Sequence, residues 1–108
     1  GYFFISPPLP QDMDTKEAQD FLAAYKAKYN SLPVSVWAVL AGDAFKAVEA
    51  AFKEGRADPE AMAEWLKTLK NLPALSGTLG FDSRGDRVGE FYRAYVVDDK
   101  GAFKIQAK

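Results

Sequence analysis

Asp43 is the carboxylate whose setting most resembles that of a working acid, because it stands alone inside the apolar run VWAVLAGDAF. A buried carboxylate does acid-base work only beside a second reacting group, and the usual partners are missing. The chain has no histidine and no cysteine, so a Ser-His-Asp relay, a cysteine nucleophile, an imidazole base and a Cys/His zinc site are all excluded from its own residues. No other acidic residue sits in an apolar run, which leaves a glycosidase-like carboxylate pair without its second member. Helix capping or a satisfied buried hydrogen bond is the simpler role for Asp43. Asp82, Asp86 and Glu90 could gather around Ca²⁺, but their spacing departs from the Asp-x-Asp-x-Asp-Gly loop. No metal, cofactor or enzymatic activity is therefore expected. Arg84, Gly85 and Asp86 spell an adhesion tripeptide, although they also fit an ordinary Gly-Asp turn. Trp37 is the remaining candidate. It follows a proline-containing loop and precedes an apolar helix, the place where α/β folds present side chains to a cleft; the alternative is an indole wedged into the core.

The elements that would position these residues follow from the pattern of the chain. Its 108 residues and 48% apolar content fit one ordinary domain with a core. A net charge of −1 with interspersed signs gives no footprint for nucleic acid. No apolar run approaches a membrane span. The opening GYFFIS is a continuous apolar run that stops at Pro7 and Pro8, as expected of a strand buried between two layers. Asp14 with Glu17 reads as a capping box ahead of a helix bearing Phe21, Leu22, Tyr25 and Tyr29. A second helix over 36–54 should be buried nearly all round in its first half, with Gly55 as its C-cap. Asp58 and Pro59 open a shorter third helix with Met62, Trp65, Leu66 and Leu69 on one side, stopped by Pro73. The aromatic, β-branched run 91–97 then reads as a strand, followed by the turn DDKG and a short strand through Phe103 and Ile105. Two end strands make a poor sheet by themselves, so they are expected to be strands of a sheet whose other members lie outside this chain.

The succession Phe21, Tyr25, Lys28, Tyr29, Leu32, Pro33, then AGDA, DPEAMAEWLK and LSGTLGFDSRGD resembles the C-terminal third of type I periplasmic solute-binding proteins, nearest the leucine/isoleucine/valine-binding subfamily. Gly77, Gly80, Phe81, Asp82, Gly85 and Asp86 are the most specific part of the likeness. One departure is Gly42, Asp43, Ala44 where the family often has Tyr-Asp-Ala. The resemblance implies an α/β fold, a fragment of the two-lobed type I binding-protein architecture, here strand, three helices and a C-terminal strand or hairpin. It implies that residues 1–7 are a strand of the C-terminal lobe, 8–90 the helical part of the N-terminal lobe, and 91–108 a hinge strand and the end of the C-terminal lobe. Pro7, Pro8, Phe91 and Tyr92 would then form the hinge, and Trp37, five residues before Gly42, would line the ligand pocket. The implied function is the substrate-binding component of an ABC importer for amino acids, branched-chain ones first. Its partners would be the amino acid and a membrane permease, without nucleic acid, and its location periplasmic or extracytoplasmic. The alternative is a ligand-sensing domain of a receptor or transcriptional regulator on the same fold. The segment alone is expected to self-associate.

Overall fold

The computed structural model describes residues 1–89 and 91–106; Glu90 and the last two residues lie outside the described set. Strand β1 (Phe3–Ser6) leads through a 3-10 turn (Pro10–Asp12) to helices α1 (Lys16–Tyr29), α2 (Val36–Lys53) and α3 (Pro59–Thr68). The strands β2 (Leu72–Ala74), β3 (Gly77–Leu79), β4 (Arg93–Val97) and β5 (Phe103–Ile105) follow.

The helix boundaries are set by local chemistry. Thr15, not Asp14, caps α1: its hydroxyl accepts from Ala18 N at 3.0 Å and donates to the Leu75 carbonyl at 3.0 Å, so the cap also ties the helix to a distant turn. Such a cap contributes about 1 kcal/mol. Asn30 closes α1 in the left-handed region at φ 56°. Ser35 caps α2, and Asp58 with Pro59 starts α3 as the sequence suggests. At the far end of α2, Arg56 N reaches back to Ala51 O at 2.8 Å across Gly55, whose φ of 73° only glycine adopts freely.

Helix α3 ends at Thr68, before Pro73 is reached. Pro73 lies instead in β2, which pairs with β3 as a hairpin that the sequence analysis overlooked, in the register Leu72 with Leu79 and Ala74 with Gly77. This hairpin is wedged among the helices. Met13, Ala18, Val39 and Leu75 form one apolar cluster on the α1 side, and Ala47, Ala74 and Leu79 form another toward α3. Gly80 is required just after it, since a Cβ there would stand 2.6 Å from the Lys70 carbonyl oxygen.

The two ends of the chain pair with each other. β4 is the centre of a three-stranded antiparallel sheet between β1 and β5, with Phe4 opposite Tyr95 and Val97 opposite Phe103. Phe4, Tyr95 and Phe103 share one face: Phe4 stacks on Tyr95 at 5.2 Å and meets Phe103 edge-on at 5.1 Å. On the opposite face Phe3 and Ile5 are 72% and 67% exposed, so β1 is not covered from both sides by this chain. Strand β4 begins at Arg93, later than the expected position 91, and Phe91 and Tyr92 belong to the segment that leads into it.

The first half of α2 is likewise not buried all round. Val39, Asp43, Ala47 and Ala51 face the hairpin, whereas Trp37, Ala41, Phe45, Val48 and Phe52 form an exposed stripe on another side. Both exceptions have the same physical cause: the chain has apolar faces for two layers and supplies cover for one.

Candidate functional site

Asp43 lies 3% exposed at the middle of α2, pointing at the β2–β3 turn. A buried turn would leave its backbone N–H groups unsatisfied, and this carboxylate answers them. Leu75 N donates to Oδ1 at 2.6 Å and Ser76 N at 3.4 Å, while the Ser76 hydroxyl donates to Oδ2. The neighbouring Gly42 allows the approach, because a Cβ there would meet Leu75 at 2.9 Å. Arg87 completes the group: its Nη2 donates to Ser76 Oγ at 2.8 Å and its Nη1 lies 3.4 Å from Asp43 Oδ2. Asp43 is thus a satisfied structural carboxylate. The Arg87 Nε is buried without an acceptor among the described residues.

Arg87 closes the SRGD loop, where Phe81 bridges Arg87 and Asp82 Oδ1 accepts from the N–H groups of Asp86 at 3.0 Å and Arg84 at 2.8 Å. These backbone donors, that of Asp86 first, hold the Asp82 carboxyl below its ordinary value. Arg84 folds back onto Asp86 at 3.1 Å, so the tripeptide is a self-paired turn and not an extended adhesion finger. The DDKG turn repeats the device with Asp98, kept low by Lys104 and by the N–H groups of Ala102 and Lys100. Among the described residues no group of three or more acidic side chains could hold a metal ion. Glu90 lies outside that set.

Beyond Arg87 the guanidinium carbon sits 3.9 Å from the centre of the Phe91 ring, and Phe91 packs on Tyr92 at 4.3 Å. This column forms one wall of an open concavity of about 490 Å³. Helix α2 supplies Val36, Trp37 and Leu40 to it, and the end of β1 supplies Ile5, Ser6 and Pro7. Four of the five residues singled out from sequence, Trp37, Pro7, Phe91 and Tyr92, therefore meet around one space. Pro8 does not; it is buried and is not among the residues lining this space. Trp37 is 74% exposed, which rules out the core alternative within this chain. Below the concavity, Tyr95 is fully buried: its hydroxyl accepts from Leu9 N at 2.9 Å and donates to Asp12 Oδ2 at 3.2 Å. Burial pushes this phenol above its ordinary value, with the Leu9 N–H acting the other way.

The sequence analysis missed Ser76, Arg87 and Tyr95. Leu75 and Ser76, the two loop residues of the hairpin, carry none of the Asn-Gly or Gly-X chemistry that marks such a turn, and nothing local announces that Arg87 pairs with a residue 44 positions earlier.

The family model for periplasmic binding proteins matches residues 1–102. The chain belongs to the periplasmic binding protein family. A search of curated proteins found no match. Among solved structures, the leucine-binding protein LivK of Thermotoga maritima is similar over 99% of this chain at 26% identity and a TM-score of 0.79. The chain spans 30% of the length of that protein. A periplasmic binding protein fold of which this chain forms a part accounts for the uncovered faces of α2 and β1.

Proposed function

We propose that this chain is part of a two-lobed protein that captures an amino acid, of the branched-chain class, by closing its lobes on it. The observation that supports this most directly is Trp37, exposed beside Pro7 and Tyr92 on the rim of the concavity. An exposed indole beside apolar walls and a nearby chain crossing suits a ligand that offers an aliphatic side chain. Residues 1–7 and 91–108 would belong to the C-terminal lobe and 8–90 to the N-terminal lobe. Pro7, Pro8, Phe91 and Tyr92 would form the hinge between them. The family and its LivK neighbour are binding proteins, and the same reading gives binding without turnover, a periplasmic or extracytoplasmic location and delivery to an ABC permease. Titration calorimetry of the intact protein with leucine, isoleucine and valine tests it. Saturable 1:1 binding of at least one is expected; binding of none removes the branched-chain assignment.

A further inference from the structure

We propose that Arg87 is a positioning residue, which holds the segment entering β4 against the α2 helix and so fixes the tyrosine wall of the concavity. Asp43 is already satisfied without it, since the Leu75 amide at 2.6 Å and the Ser76 hydroxyl are its close donors and the Arg87 contact is its long one at 3.4 Å. The guanidinium is therefore not placed there to neutralise an otherwise stranded carboxylate. Its firm bonds point elsewhere: Nη2 to Ser76 Oγ, and its flat face to the ring of Phe91 at 3.9 Å.

The segment it touches has little else to hold it. Among the described residues, Val88 N to Gly80 O is the one backbone hydrogen bond donated from positions 88, 89, 91 and 92. Gly89, at φ 103°, stands between Arg87 and Phe91 and brings no side chain that could anchor the backbone. Phe91 is half-buried and passes the constraint to Tyr92, which is exposed at the concavity with Trp37. A planar cation over an aromatic face is a directional contact, and it is stronger when shielded from water, as this side chain is at 14% exposure. Asp43 and Ser76 fix the guanidinium; the guanidinium fixes Phe91; Phe91 orients Tyr92.

That Tyr92 faces a ligand rests on the binding-protein reading above, so the test has an arm that needs no ligand. In the intact protein without ligand, Arg87→Met and Phe91→Leu should each speed exchange of the Val88 amide, the hydrogen-bonded one of this segment, by roughly three- to tenfold, the range of one cation–π contact. The double variant should add little to either single one, and Arg87→Lys, which keeps the charge but loses the fork, should fall between. The Leu75 amide should stay protected in all of them, since Asp43 still accepts it. Unchanged exchange at Val88 overturns the proposal, as does a rise shared equally with β2 and β3 or a double variant that multiplies the two single effects. In the second arm, leucine affinity should fall in both single variants. Unchanged affinity alongside faster exchange would overturn the link to the tyrosine wall, whereas a wild-type protein that binds no branched-chain amino acid would sink the functional reading and leave the exchange arm to decide Arg87.

Discussion

Replacing Trp37 by alanine separates a ligand wall from a structural side chain, because the two roles differ in which free energy they change. The indole leaves 74% of its area open, so its removal uncovers little of the core. Alanine is also the better helix former at the start of α2, and the predicted change in unfolding free energy is within about 0.5 kcal/mol. The effect on binding should be larger. If a ligand covers roughly 80 Å² of the indole, the lost burial is about 2 kcal/mol at ~25 cal/mol per Å², or about 30-fold in Kd. Calorimetric titration of the intact wild-type and variant proteins with leucine, together with scanning calorimetry of both, reads the two quantities. A loss of about 3 kcal/mol in stability with unchanged affinity would show that Trp37 packs against another part of the protein and would refute the reasoning.

Four further outcomes are expected. Asp43→Ala removes the acceptor of the buried Leu75 and Ser76 amides and of the Ser76 hydroxyl, so denaturant unfolding of the intact protein should show a loss of about 3 kcal/mol; a loss below about 1 kcal/mol would mean water replaces the carboxylate. Replacing Pro7 and Pro8 together by glycine should widen the ligand-free ensemble in X-ray scattering and weaken binding through closure entropy, and identical dimensions with identical affinity would remove both from the hinge. Asp82 has a lowered folded-state pKa, so its stabilisation of the SRGD loop is complete above the unfolded value near 4 and is lost as pH falls through the folded one; the Arg84 and Asp86 amide resonances should shift below about pH 4, and a flat profile, matching that of Asp82→Asn, would contradict the assignment. The segment alone, with Phe3, Ile5, Phe45 and Phe52 exposed, should associate with itself in sedimentation, and a monomer across a wide concentration range would show that these faces tolerate water.

The parts of the fold legible in the sequence were those written in local chemistry. Asp58 with Pro59, Gly55 and the paired aspartates of the two turns each act within a few residues of themselves, and their positions follow directly from the chain. The misplaced features all depend on distant partners. Thr15 takes the cap from Asp14 because its hydroxyl can also reach Leu75, 60 positions away. Pro73 reads as a helix stop because a three-residue strand is too short for any periodicity to register. GYFFIS and the first half of α2 read as buried on every side because composition reports how apolar a face is and not whether this chain covers it. The candidate site divides in the same way: Trp37 could be singled out by its place after a proline loop, whereas Arg87 looks like any surface arginine until the β2–β3 turn brings Ser76 beneath it.

The carboxylate of Asp43 also acts as a test of docking during folding. Helix α2 presents several apolar stripes of comparable quality, and hydrophobic attraction alone would let the hairpin settle against any of them. Rotation of the helix by one residue, about 100°, would move Asp43 away from the Leu75 and Ser76 donors, and pressing the wrong stripe against the hairpin would strand either the carboxylate or those amides away from water. The penalty for such an arrangement is several kcal/mol, comparable to the total stability of a small domain. One charged residue in an apolar run thereby selects a single rotational setting of the helix.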